Sequence, residues 1–155
     1  MKTYELHRKQ KLAIDINTCW EFFSAPQNLN EITPDEMDFK ILSGADRKIY
    51  AGQIIKYKVK PFPFWQTDWV TEITHVKDGA YFVDEQRFGP YKFWHHKHFF
   101  TPCEGGVLIE DIIHYKLPMG FLGAIAHGLF VKKQLEGIFE YRNEKLKTLF
   151  AATPS

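Results

Sequence analysis

One run, FVDEQRFGPYKFWHHKHFF from Phe82 to Phe100, limits the fold of this chain more than any other stretch. Gly89-Pro90 divides it, and the aromatic, alternating segments on either side predict two strands joined by a turn. Side chains two apart share a strand face. Trp94, His96, His98 and Phe100 therefore form one row, and Phe93, His95, Lys97 and Phe99 the other. Phe82, Asp84, Gln86 and Phe88 share a face of the preceding strand. Whichever row turns inward carries hydrogen-bonding or titratable groups into the interior, where such groups have to be paired. Two readings stand: a core that satisfies its own polar groups, or the wall of a cavity.

The register of this hairpin decides which groups meet. A three-residue connection at Gly89-Pro90 sets Asp84 opposite His96 and Gln86 opposite Trp94, whereas a two-residue connection separates the rows, because a one-residue slip flips every side chain. Proline lacks a donor and sits more easily inside a loop than at a paired position, which favours the first arrangement. Asp84 beside His96 would then remain charged and raise the imidazole pKa.

Outside this run the chain alternates strand and turn signals. Residues 3 to 14 predict a first strand, Asp15 and Asn17 offer capping side chains, and the segment from Thr18 predicts two short helices broken at Pro26. Further strands are expected at Phe39–Leu42, Gln53–Val59, Trp65–Val76, Tyr81–Phe88, Lys92–Phe100 and Val107–Leu117. Turn residues separate them at Gly44 to Asp46, Pro61 to Pro63, Asp78-Gly79, Gly89-Pro90 and Glu104 to Gly106. From Val131 the period changes to that of a helix. Val131, Leu135, Ile138, Phe139, Leu146 and Leu149 fall on one stripe, with Lys132, Glu136, Glu140, Asn143 and Lys147 opposite. Arg142 projects into the apolar stripe, where a guanidinium needs an acid, a ligand or water. The preceding Gly120–Gly128 segment is apolar on every side and glycine-rich, so it should be flexible or covered on both sides, as a portal or lid would be.

Composition narrows the function classes. The 155 residues fit one domain, expected over 1–150 with a short tail at 151–155. Twenty basic against nineteen acidic residues leave a formal charge of +1, so no global field attracts nucleic acid or an anionic membrane. Cys19 and Cys103 stand alone, outside any disulfide framework or zinc spacing. The charged N-terminus lacks a signal-peptide core and no stretch reaches the roughly 20 apolar residues of a membrane span, so a cytoplasmic location is expected. The compositional excess is aromatic, with 14 Phe, 7 Tyr and 4 Trp. That excess suits a core of large residues or an aromatic-walled pocket.

The order strand, two short helices, six strands and long C-terminal helix resembles the helix-grip fold of the START-like superfamily, also called SRPBCC. Within it the chain is similar to the polyketide cyclase/dehydrase-like, ligand-binding bacterial members. The residues that carry the resemblance are the FVDEQRFGPYKFWHHKH run, Asp111-x-x-x-Tyr115-x-x-Pro118-x-Gly120, and Leu135-x-x-Ile138-Phe139-x-x-Arg142. The resemblance implies an α+β fold in which a curved antiparallel sheet of about seven strands wraps the last helix and leaves a cavity between them. It implies neither a bound metal nor a cofactor. No Arg-Asp or Tyr-Arg pair matches the active site of a characterised aromatase/cyclase.

Candidate ligand-binding residues are Trp69, Phe82, Asp84, Gln86, Trp94, His96, His98, Tyr115 and Arg142, with His96 and Asp84 as the candidate acid/base pair. The same pair can instead form a satisfied polar floor, the favoured reading because the sequence offers no nucleophile or oxyanion donor to go with it. His-x-His on a strand face, with a third ligand from Asp84 or Glu85, could chelate a metal; the expectation is that it does not. Arg142 is either paired with Asp111 or Asp84, pinning helix to sheet, or anchors a carboxylate or phosphate. Trp65 and Trp69 read as core or pocket wall, Phe62 and Phe64 as an exposed loop, and Lys56, Lys58 and Lys60 as a solvated face. Two functions are expected from this set. One is a carrier or sensor for a hydrophobic or amphipathic small molecule such as a lipid, quinone or polyketide. The alternative is a cyclase/dehydratase acting on a polyketide-like substrate. Partners are thus small molecules, not nucleic acid, and the chain is expected to be a monomer or homodimer.

Overall fold

A computed structural model of the chain describes residues 2–151. Seven antiparallel strands form one sheet in the order β1-β7-β6-β5-β4-β3-β2. They are β1 Tyr4–Leu12, β2 Lys40–Ser43, β3 Gln53–Phe62, β4 Trp65–Lys77, β5 Tyr81–Phe88, β6 Phe93–Cys103 and β7 Gly106–Lys116. Strict alternation builds the concave face. In β3, Ile55, Tyr57 and Val59 turn inward while Lys56 and Lys58 point out toward Asp68, at 3.0 and 3.9 Å. Register shifts in the β4–β5 pairing, between Val70 and Thr71 and between Ile73 and His75, bend the sheet as bulges do.

Between β1 and β2 the chain forms α1, Ile16–Phe23, followed by 3-10 helices at Pro26–Ile32 and Asp35–Met37. Asp15 caps α1 by accepting from Thr18 N at 3.0 Å, which satisfies one of the unpaired amides of the first turn. Asn17 lies inside α1 and caps nothing. The second short helix expected after Pro26 is therefore a 3-10 segment rather than an α-helix.

At the C-terminal side, α2 Gly120–Ala126 runs through a π turn at His127–Val131 into α3 Lys132–Leu149. Leu135, Phe139, Arg142 and Leu146 form the buried stripe of α3. Leu149 departs from the expected stripe and is 41 % exposed. The helix ends there, and Phe150 packs inward instead, its ring 5.2 Å from that of Phe22. Of the two alternatives for the Gly120–Gly128 segment, cover on both sides is not what is found, since Leu122 and Ile125 of α2 stand exposed. Trp65, read from sequence as core or pocket wall, is half out of the protein and stacks on Phe62 at the β3–β4 tip. Pro61 belongs to the buried row of β3, and the turn itself is Pro63-Phe64. Of the expected tail, residues 152–155 lie outside the described residues. Among the described residues, no helix is long and apolar enough to cross a membrane.

Candidate functional site

Helix α3 does not fill the curve of the sheet. One hydrophobic cluster gathers Trp20, Phe23, Phe82, Phe100 and Leu146, and a second gathers Trp94, Tyr115, Val131, Leu135 and Phe139. Between sheet and helix lies a space of about 220 Å³. Its sheet wall comes from Ile55, Tyr57 and Val59 of β3, Trp69 and Ile73 of β4, and Phe82 of β5. Ile138 and Phe139 bound it from α3, and Phe23, Leu29 and Met37 from α1 and the 3-10 helices. Gln134, which also faces this space, hydrogen-bonds to the Pro61 carbonyl and so ties α3 to the end of β3.

Titratable groups enter this wall where β5, β6, β7 and α3 converge. The β5–β6 ladder sets Asp84 opposite His96, and the β6–β7 ladder sets His98 opposite Asp111. Inward rows on three adjacent strands thus bring two imidazoles and two carboxylates together. His96 Nε2 lies 2.9 Å from Asp111 Oδ1, and His98 Nε2 lies 2.6 Å from Asp84 Oδ2. Arg142 reaches the same Asp111 oxygen at 3.6 Å, its guanidinium lying over the rings of Phe23 and Phe139 at 5.3 and 5.5 Å. His96 to Asp84, the pair favoured from sequence, is longer, at 3.8 Å through Nδ1. The correct pairing is crossed because cross-strand neighbours on β7 compete with those on β5, and Asp111 is closer to the His96 ring.

The protons of this cluster follow from its geometry. His98 donates Nε2–H to Asp84, while its Nδ1 sits 3.1 Å from Asp111 Oδ1 without hydrogen-bond alignment. A lone pair facing a carboxylate at that distance repels, and a proton there attracts. Burial by itself pushes His98 down, but the carboxylates of Asp111 and Asp84, through contact and charge together, lift its pKa above the ordinary imidazole value. His96 goes the other way: burial lowers it first and the neighbouring His98 lowers it further, outweighing Asp111 and Asp84. This reverses the raised His96 pKa expected from sequence. Burial would lift both carboxylates, yet Asp84 is held low by its His98 hydrogen bond, and Asp111 well below the usual range by the Arg142 charge and both imidazoles. With His98 protonated and His96 neutral, two carboxylates face one imidazolium and one guanidinium. The cluster is then electrically balanced inside a low-dielectric wall, the condition that makes buried ions tolerable.

Asp84, His96 and His98 also offer one donor atom each within 4.8 Å of one another. Such a set could hold a divalent cation. Here Arg142 already pairs with Asp111 and His98 donates to Asp84, so a dication would have to displace that hydrogen bond and stand near the guanidinium.

Of the residues read from sequence, the structure brings Trp69, Phe82, Asp84, Trp94, His96, His98 and Arg142 to the wall of the space. Gln86 is elsewhere. Its side chain donates to the Tyr91 carbonyl at 2.6 Å and accepts from Tyr91 N at 3.1 Å, closing the β5–β6 loop in place of the expected pairing with Trp94. Tyr115 is buried in the second cluster, its hydroxyl 2.7 Å from His127 Nε2, and does not line the space. Tyr57, Leu29 and Ile138 line it and are not among the candidate ligand-binding residues read from sequence. For Tyr57 the signal was present, in the alternation of Ile55, Tyr57 and Val59. Burial raises its phenol pKa, and the Asp84 charge adds to the effect.

No protein-family model matches the chain, and no curated protein matches it by sequence. Solved structures do match. TTHA0849 from Thermus thermophilus superposes with a TM-score of 0.72 at 12% identity, over 97% of this chain and 100% of that one. Protein CV1439 from Chromobacterium violaceum gives 0.72 at 14% identity, over 99% and 100%. The ginseng major latex-like protein 151 from Panax ginseng gives 0.70 at 11%, over 97% and 99%. At such identities the likeness establishes the fold alone, an α+β helix-grip arrangement, as the START-like (SRPBCC) resemblance implied.

Proposed function

We propose that the chain binds a compact hydrophobic or amphipathic small molecule between sheet and α3, as a carrier or sensor. The observation that supports this most directly is a largely apolar space of about 220 Å³ with Asp84, His96, His98 and Arg142 in its wall. An engineered apolar cavity of about 150 Å³ admits benzene, and pockets for drug-sized ligands begin near 300 Å³. The space therefore suits a ligand of one or two rings, or the head of a quinone or polyketide-like compound, better than a whole lipid. Dispersion and apolar burial supply the affinity. The floor supplies selectivity. Arg142 already faces Asp111, so a ligand carboxylate gains little there and would bring an unbalanced charge. Asp84 spends one oxygen on His98 and can accept from a ligand hydroxyl with the other.

A second reading rests on Asp84 and His98. A carboxylate hydrogen-bonded to an imidazole at the wall of a cavity can move a proton, as a cyclase or dehydratase would require. The charge balance of the cluster favours binding over chemistry.

Calorimetric titration with 2-naphthol and with 2-naphthoate tests the proposal, alongside mass spectrometry of the protein as purified under native and denaturing conditions. The expected result is binding of 2-naphthol, weaker binding of 2-naphthoate, and loss of that preference in Asp84→Asn. No uptake of either probe, together with no retained small molecule, would overturn it. A co-purified compound that leaves chemically altered only when Asp84 and His98 are intact would establish the enzyme instead.

A further inference from the structure

One end of the molecule differs from the rest of its surface. Strands β3, β5 and β7 all run toward it, so the β3–β4 tip, the β5–β6 loop and the β7–α2 connection share that end. Most of the exposed large hydrophobic side chains of the described residues stand there. Phe64 and Trp65 occupy the β3–β4 tip, with Phe64 fully exposed. Phe88 and Phe93 flank the β5–β6 loop at 66 % and 42 %. Leu122, Ile125, Leu129 and Phe130, at 45–63 % exposure, make a stripe along α2 and the π turn. Its helical spacing is that of a buried face, yet it points away from the protein, while Val131 turns to the core. The opposite end carries the Asp78-Gly79 and Glu104-Gly105-Gly106 turns, which are polar.

Of charged side chains, the three segments that form this end carry only lysines, although Asp38, ahead of β2, also reaches it, accepting from Gln66 of the β3–β4 tip at 3.2 Å and pairing with Lys40. Residues 60–66, 88–93 and 116–133 contain Lys60, Lys92, Lys116, Lys132 and Lys133 and not one Asp or Glu. Lys56 and Lys147, paired with Asp68 and Glu144, lie elsewhere, while Lys40 pairs with Asp38 beside the β3–β4 tip. A water-exposed apolar patch of this breadth marks an interaction surface. A soluble protein partner would need to match the apolar stripe and the lysines on the hairpin loops at once. A bilayer with anionic head groups matches both without shape complementarity, because aromatic and aliphatic tips enter the interface and lysines remain at the phosphate level.

We propose that this end is a docking face for a membrane surface bearing anionic lipids, with the α2 stripe and the Phe64-Trp65 tip as its inserting elements. The contact is peripheral. It is independent of what the cavity holds, so each proposal can fail without the other.

Vesicle flotation of the full chain tests it, using phosphatidylcholine alone and a 7:3 mixture of phosphatidylcholine and phosphatidylglycerol. The expected result is flotation with the anionic vesicles that weakens with salt, and little with the neutral ones. Each lysine near an anionic surface contributes roughly a fivefold gain in partitioning, so Lys132→Glu with Lys133→Glu should lose roughly 25-fold or more. Leu129→Glu with Phe130→Glu should lose at least as much, and both pairs are exposed enough to leave the far-ultraviolet circular dichroism unchanged. Ile54→Glu, exposed on the β3 outer face, is the control and should float as wild type does. Failure of the wild type to float, equal loss in Ile54→Glu, or unchanged flotation of both paired variants would overturn the proposal. So would a dimer in gel filtration that the Leu129/Phe130 variant dissolves, since a second copy would then cover the face.

Discussion

His96 and His98 lie side by side on β6 with ring centroids 3.6 Å apart, and their Nε2 atoms serve different carboxylates, Asp111 and Asp84. Two imidazolium ions at that separation would repel strongly in a buried site. At most one of the two is therefore charged, and with the His98 pKa raised and that of His96 lowered, His98 is the one that takes the proton first. Imidazole nitrogen shifts followed against pH should show one histidine titrating above the ordinary value of about 6.5 and its neighbour below it. If both titrate together near 6.5, the charge-balanced cluster is wrong.

Asp111 is the hub, since His96, His98 and Arg142 all contact it. Asp111→Asn removes the charge that balances a buried guanidinium, and breaking a buried ionic group typically costs about 3–5 kcal/mol. Arg142→Met should cost less, because two imidazoles still face the carboxylate and the methionine keeps the contacts with Phe23 and Phe139. In urea unfolding the double variant should be less destabilised than the sum of the two, since the residues share one network. Strict additivity would mean that Arg142 and Asp111 do not interact energetically.

Much of this is legible in the sequence, for identifiable reasons. Period-two alternation is a local property, so the expected bounds of β5 coincide with the observed ones, Tyr81–Phe88. The expected Asp84–His96 register is the observed one, although the ladder stops at Glu85–His95, so the connection is longer than the three residues expected from Pro90. What fails requires a third strand. The β6–β7 register puts Asp111 opposite His98, and no local signal says that Asp111 will take His96 from Asp84. Gln86 is lost to the bulge between Val70 and Thr71 and to the Tyr91 backbone, which compete for a side chain that alternation alone assigns to the inner row. Tyr115 does face inward, but His127, brought in by the π turn after α2, satisfies its hydroxyl before any ligand could.

Stability should fall on both sides of neutrality. His98 has a raised pKa in the folded state, so its contribution is complete below about pH 6.5 and is lost as pH rises through the folded value. His96 and the carboxylates act oppositely. Their pKa values are lowered, so stability is lost below about pH 6.5 as the unfolded His96 takes a proton, and again below about pH 4 as Asp84 and Asp111 are protonated. Chemical unfolding at a series of pH values should show His98→Gln losing the alkaline limb while retaining the acid one. An alkaline limb unchanged in that variant would place the proton elsewhere.

The space beneath α3 can be tested by the same chemical change at two buried valines. Val59 borders it, whereas Val107 is fully buried in the close-packed cluster around Trp20 and Phe100 and does not border it. Val59→Ile adds one methylene into unfilled volume, where transfer from water is worth about 0.8 kcal/mol. Val107→Ile adds the same group where no room exists, and overpacking costs about 1–3 kcal/mol. The first variant should therefore unfold at higher urea concentration than wild type and the second at lower. Filling the space should also weaken 2-naphthol binding, which joins the stability gain to a loss of function. If Val59→Ile destabilises as Val107→Ile does, sheet and helix are packed together and no ligand is accommodated between them.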